Sequence, residues 1–309
     1  MNRVEFRTFG TADLRQGDGT AVLSVLAQPK RVALLTYLAV EGFGDFVRRD
    51  TLCGAFWPDA DQGQARHRLR SSLHMLRKAL GHDALVRRGD EEIGVAAGEV
   101  WFDVEEFEHA VAEDRHEEAL ELYRGEFLAG FHVTASNEFD EWLRRTRERL
   151  QALAASSAKA LTEDAVLAGQ HEAAVRWSGC AREIAPLDEG ALRAHMGALD
   201  GGGRRAEALR EYDAFAGRLE AEIGASPAPE SAELARRIRD RTDARPDAVV
   251  AQGVTPGSRE DAPTPPADVV HPASSGRAAA LTAAVALGGA AFFAARVSSS
   301  ADGAAQPDG

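Results

Sequence analysis

The stretch "QARHRLRSSLHMLRKALG", residues 64–81, holds five Arg or Lys and two His among eighteen residues, yet Leu recurs at Leu69, Leu73, Leu76 and Leu80. Spacings of three and four put those leucines on one side of a helix. Stepping about 100° per residue from Leu69, Ala65, Ser72, Leu73, Leu76 and Leu80 gather on its side. Gln64, His67, Ser71, His74 and Lys78 fall opposite, with Arg70 and Arg77 on one flank and Arg68 on the other. One face can seat on a core. The other offers donors of several reaches, some able to read base edges in a major groove and some to neutralise phosphates.

A basic amphipathic helix alone is usually just a solvated surface. Three features argue for more. No Asp or Glu lies between Gln62 and His82. A short helix, expected over 51–57 with Asp50 as its cap and Pro58 as its stop, ends just before it, as a helix-turn-helix requires. A second basic pair, Arg87 and Arg88, sits in an expected hairpin, where 85–88 and 92–95 flank the turn signal Gly89-Asp90. Asp59 or Asp61 can cap the basic helix, expected over about 62–80, and Gly81 ends it.

Upstream, 4–9 and 12–15 read as short strands split by Gly10, and 22–26 as a third. Pro29 opens a helix that continues through 31–40 with Val32, Leu35, Leu38 and Ala39 at helical spacing. Strands, three helices and a hairpin in that order outline a winged helix-turn-helix over 1–98.

The 309-residue chain has a formal net charge of -13, unevenly spread. Residues 1–98 sum to +2 and 99–245 to -12, while 62–88 hold seven basic residues against one acidic. A basic patch in an acidic chain attracts a polyanion at one place and repels it elsewhere. Two cysteines, Cys53 and Cys180, form no close pair, so a reducing compartment is expected, and the first nine residues do not resemble a signal peptide.

From about 103 the pattern is helical. "DRHEEALELY" at 114–123, "GQHEAAVRWS" at 169–178 and "GRRAEALREY" at 203–212 echo one another, the last two 34 residues apart, the tetratricopeptide period. Each reads as a turn followed by the second helix of a pair, with Ala119, Ala174 or Ala208 where helices approach closely. A long helix is expected over 138–168. The fold class is therefore mainly α: a winged helix-turn-helix, itself α+β, followed over 99–245 by an all-α tetratricopeptide-like domain. A Pro-rich linker (246–276), a candidate transmembrane helix (277–296) and a tail (297–309) complete the chain. The uncharged stretch at 278–295 reads either as a membrane anchor that keeps the N-terminal domain cytoplasmic, or as an Ala-rich tail or packing helix.

Catalytic chemistry finds no footing. Only Lys30, Lys78 and Lys159 occur, none after Gly, which excludes a Walker phosphate loop. No GxSxG or HExxH is present. His67 and His74 lie two turns apart, too far for one metal unaided. Cys53, Trp57 and Trp142 read as packing residues. No enzyme, metal or cofactor is expected.

"PKRVALLTYLAV" (29–40) and "VRRDTLCGAFWPDADQGQARHRLRSSLHMLRKALG" (47–81) resemble the DNA-binding half of the SARP-type (antibiotic regulatory) activators, whose winged helix is OmpR-like. "LELYRGEFLAGF", "FDEWLRRTRERL", "APLDEGALRAHMGALDGGGRRAEALREYDAF" and "LEAEIGASPAPES" resemble the bacterial transcriptional activator domain that follows it there. The resemblance spans about 3–240. It implies binding of double-stranded DNA at promoter repeats, a homodimer and contact with RNA polymerase, and it places Arg66, Arg68, Arg70, His74, Arg77 and Lys78 on the recognition helix. With Gln64, His67, Ser71 and the wing's Arg87 and Arg88, these form the expected DNA-binding set. Two departures stand out: Ile93-Gly94-Val95 where such wings usually carry a Gly-Tyr-x-Leu-like strand, and Met75 where relatives often carry a basic residue. The competing reading is a tetratricopeptide-like interaction scaffold, membrane-tethered or free, that binds no DNA.

Overall fold

The protein is described by a computed structural model covering residues 3–241 apart from 43 and 134. The expected linker, the apolar stretch 278–295 and the tail lie outside the described residues. Among the described residues no helix is long and apolar enough to cross a membrane.

Strand β1 (Val4–Arg7) buries Val4 and Phe6 and turns Glu5 and Arg7 outward. It pairs antiparallel with β2 (Asp13–Arg15), Phe6 opposite Leu14. Residues 22–26 are not the expected strand but one helical turn, α1 (Leu23–Leu26). Their apolar residues fall at Val22, Leu23, Val25 and Leu26, a helical rather than alternating period. Burial follows it, with Val22 and Val25 inside and Leu23 69% exposed.

Pro29 then starts α2 (Pro29–Glu41) at a position whose N–H has no helical partner. Its Val32, Leu34, Leu35 and Leu38 form the floor of the N-terminal half. Strand β3 (Val47–Arg48) leads into α3 (Arg49–Phe56). Asp50 does not cap α3 as expected; Arg48 occupies that position and Asp50 sits in the first turn, its carboxylate paired with Arg66. Next comes α4 (Gln62–Leu80), whose cap Asp61 accepts a hydrogen bond from Gln64 N at 2.8 Å. Gly81, at φ 109°, turns the chain out of the helix in a backbone region that favours glycine.

A single 3-10 turn leads to the hairpin of β4 (Leu85–Arg88) and β5 (Glu92–Val95), in register Leu85 to Val95 and Arg88 to Glu92. Strand β5 also pairs with β3, giving the sheet order β3-β5-β4. Strand β6 (Val100–Phe102) then returns to lie parallel to β1, which completes the other sheet, β2-β1-β6.

Helices follow: α5 (Asp103–Ala112), α6 (His116–Leu122), the 31-residue α7 (Asn137–Leu167), α8 (His171–Ile184), α9 (Glu189–Gly201), α10 (Arg205–Ile223) and α11 (Pro229–Asp240). The three echoed segments are α6, α8 and α10, each entered through a turn. Ala119, Ala174 and Ala208 are all buried, so a methyl group is what lets neighbouring helices close.

One hydrophobic core runs from Val4 to Ala154 and crosses the expected boundary at 98. Tyr37, Phe56, Phe139 and Trp142 stack at its centre, with ring centroids 4.7 Å (Tyr37–Trp142), 5.0 Å (Phe56–Phe139) and 5.3 Å (Phe139–Trp142) apart. Trp142 Nε1 donates to Glu41 Oε1 at 2.8 Å, tying α7 to α2. The buried Asp103 carboxylate accepts from Thr8 N (2.7 Å), Thr8 Oγ1 (2.9 Å), Phe9 N (2.9 Å) and Val104 N (2.9 Å). Burial pushes its carboxyl above the ordinary range while those four donors pull it back.

Replacing Asp103 by Ala leaves three backbone amides and a hydroxyl without their acceptor. The variant should lose about 3 kcal/mol of unfolding free energy in a denaturant titration. Nearby Glu105 is pushed up to about 7, first by burial and then by Glu106. Its folded-state value lies above its unfolded one, so this group's cost is absent below the ordinary carboxylate range, grows as pH rises and is complete above about 7. Glu105→Gln should therefore be more stable than the parent at alkaline pH and indistinguishable from it in acid.

Candidate nucleic-acid interface

Helix α4 seats on the core through Ala65, Leu69, Leu73, Leu76 and Leu80, each at most 7% exposed. That fixes what faces outward. Gln64, His67, Arg68, Arg70, Ser71, His74 and Lys78 are all exposed along its outer side. A helix of this width and polarity matches a B-form major groove. Met75 is only half-buried, against Lys78 and α1.

Two of the expected cations have other work. Arg66 is half-buried, and its guanidinium pairs with Asp50 of α3 at 2.9 Å and with Glu91 of the hairpin turn at 3.1 Å. Arg77 is also half-buried; its Nη2 donates to Leu85 O at 3.4 Å, and burial, then the nearby Arg87 and Arg49, lower its pKa. These side chains hold the hairpin to α4 from two places along the helix. In the hairpin, Arg87 is exposed, while Arg88 pairs with Glu92 at 2.5 Å and stacks 4.6 Å from the Phe46 ring centroid.

Helix and hairpin enclose a cleft of about 340 Å³. Arg49, Arg66, Arg70, Arg77 and Arg87 ring it, Leu69 and Leu73 floor it, and Asp90 and Glu91 stand at one edge. So many guanidinium groups around one concavity concentrate positive potential there. Arg49 was absent from the sequence-derived set. It is the first residue of α3, its amide donates to Glu91 O at 2.8 Å, and its buried Nε has no hydrogen-bond partner among the described residues. The Arg48-Arg49 pair at the start of α3 was a readable signal, but only the packing of the hairpin turns Arg49 toward α4. Lys30 was missed too. It donates to Phe56 O at 3.0 Å, and its pKa is lowered by burial and then by Arg68, so it sits beside the basic face.

The glycine of the Ile93-Gly94-Val95 strand has a steric cause. A Cβ at Gly94 would lie 2.3 Å from Asp45 O and 3.1 Å from Gly42 O. The backbone following α2 packs directly on the hairpin, and no side chain fits between.

Residues 91–239 match the family model of the bacterial transcriptional activator domain. The regulatory protein AfsR of Streptomyces griseus is 31% identical over 255 residues, which are 75% of this chain and 24% of AfsR. The chain thus spans about a quarter of that relative's length. Among solved structures, EmbR of Mycobacterium tuberculosis, determined in complex with a low-affinity phosphopeptide, superposes with a TM-score of 0.56 at 23% identity, over 77% of this chain and 65% of EmbR. At that identity the likeness is one of fold.

Gly94→Ala should cost about 2 kcal/mol or more, because the backbone at Asp45 cannot retreat without lifting the hairpin from the core. Asp61→Ala, which removes the cap of α4, should cost about 1 kcal/mol. Thermal unfolding checks both, and tryptic cleavage within the hairpin should accelerate in the first variant only.

Proposed function

The chain carries a bacterial transcriptional activator domain behind a winged helix-turn-helix, and on that premise we propose that it is a sequence-specific, DNA-binding transcriptional activator of the SARP type. The single observation that carries this reading is α4: apolar residues inward, an unbroken row of cations and neutral donors outward, and a guanidinium-lined cleft beside it.

On this reading α4 enters the major groove. Gln64, His67, Ser71 and His74 reach for base edges, as amide, hydroxyl and imidazole groups can. Arg49, Arg70 and Arg87 approach phosphates from the cleft and Arg68 and Lys78 from the crest of the helix, while Arg66 and Arg77 set the angle between helix and hairpin. A homodimer places two such helices on promoter repeats in the cytoplasm. The acidic helical domain turns away from DNA, since its charge is repelled there, and offers stacked helices to RNA polymerase.

Fluorescence anisotropy on promoter duplexes tests this. If about five cations per protomer meet phosphates, log K falls with log salt at a slope of roughly -4.5 per protomer. Arg70→Ala, Lys78→Ala and Arg87→Ala should each flatten the slope by about 0.9 without lowering Tm, because among the described residues none of the three side chains makes a hydrogen bond or ion pair. A slope near zero, or a folded triple variant that binds as tightly as the parent, would refute the reading and favour a scaffold that works through protein partners alone.

A further inference from the structure

Far along the chain from α4, helices α8, α9 and α10 enclose a second groove of about 490 Å³. It falls within the range of small-ligand pockets, and nothing in the DNA-binding reading uses it. Its charged and titratable lining is Arg182 and Glu183 of α8, His195 of α9, and Glu211, Arg218 and Glu222 of α10.

Arg182 is the first sign that the groove is built for something. It is 8% exposed. Its guanidinium lies 5.1 Å from the Phe215 ring centroid, and Nη1 donates to Pro186 O at 2.8 Å. Its Nε is buried with no partner among the described residues. A guanidinium clamped this firmly, with donors unspent, is costly to hold unless an acceptor arrives.

The second sign is the tautomer of His195. Ser178 Oγ lies 2.6 Å from Ala174 O and 2.9 Å from His195 Nδ1. A hydroxyl has one proton and a carbonyl can only accept, so Ser178 donates to Ala174 and the imidazole Nδ1 donates to Ser178. That leaves Nε2 a bare acceptor. Burial lowers the pKa of His195 ahead of all other causes, which keeps it so.

The third sign is charge held apart. Two arginines and three glutamates line this one groove, yet no Arg–Glu pair among them closes to 4 Å. Pairing is routine elsewhere in these helices, as in Arg204–Glu207 and Arg236–Glu233. Opposite charges that face one cavity without meeting match a ligand that carries both signs.

We propose that this groove binds a small zwitterion of amino-acid type, its carboxylate on Arg182 and Arg218, its ammonium toward Glu211, Glu222 and His195 Nε2. Arg presents the planar fork that fits a carboxylate, and Glu211 and the imidazole supply acceptors for an ammonium. The inference stands apart from DNA binding, since a chain that failed on every duplex could still bind here.

The test is thermal unfolding of the full chain with each proteinogenic L-amino acid in turn, and with acetate and ethylamine as single-charge controls. At least one amino acid should raise Tm, by about 5 °C or more at a hundredfold excess over its Kd, while neither control does. Two variants locate the site. Gly179→Leu fills the groove: its Cβ would lie 3.5 Å from His195 Cε1, an ordinary contact, so the fold should tolerate it. Arg218→Ala removes one exposed cation. Both should abolish the shift, and Arg182→Met should as well if it folds. No shift with any amino acid, an equal shift with acetate or ethylamine, or a shift that survives in both Gly179→Leu and Arg218→Ala would overturn the proposal.

Discussion

A single carboxylate joins the two halves of this molecule. Asp103 stands where β6 becomes α5, and its oxygens collect four donors, three of them from Thr8 and Phe9 at the end of β1. A buried carboxylate is tolerable only when its lone pairs are engaged. The end of β1 must therefore lie against the start of the helical domain. The parallel pairing of β1 with β6 follows from that, as does the bridge between Phe9 and Phe127. The helical domain is thus packed on the winged helix by shared backbone and shared core. Trp142 bonded to Glu41, inside the aromatic stack, makes a second attachment between the same two parts.

Rigid attachment gives the charge asymmetry a direction. The helical region carries nearly all of the net negative charge, while α4 and the hairpin carry the cations. Were the two joined by a loose tether, the acidic part would be free to swing over the basic face and screen it. Fixed in place, it leaves the basic face uncovered. The surface helices neutralise much of their own charge in local pairs such as Arg144 with Glu141 and Glu148. Exposed pairs of this kind add little stability, so their main effect here is on the field that a ligand meets.

Local chemistry made much of this legible in the sequence. The cap Asp61, the terminating Gly81 and the leucine spacing define α4, and Gly89-Asp90 defines the hairpin. The echoes around Ala119, Ala174 and Ala208 mark second helices of pairs, since only small residues let helices approach that closely. What escaped was set by distant partners. Asp50 reads as a cap from its neighbours, but Arg66, sixteen residues on, draws its carboxylate aside. Arg49 reads as an ordinary surface arginine until Glu91 of the hairpin turn packs against it. Asp103 looks like one more acidic residue at a helix start, and its partners lie 94 and 95 residues earlier. The core runs on past residue 98 for the same reason: the strand that closes the first sheet arrives only at Val100.

The arginines of the basic face divide by what surrounds them. Arg66 reaches two carboxylates and Arg77 a carbonyl, so both face inward toward the hairpin. Arg68 and Arg70 are exposed, and among the described residues neither side chain makes an ion pair or hydrogen bond. This follows from helix geometry: Leu69 and Leu73 must be buried, and side chains flanking that stripe lie at the edge of the core, where the hairpin turn meets them. A change at Arg66 or Arg77 therefore alters the angle between helix and hairpin before it alters the charge on the exposed face. Placing cations at both the edge and the crest of one helix lets a short segment orient itself and still keep free donors for a ligand.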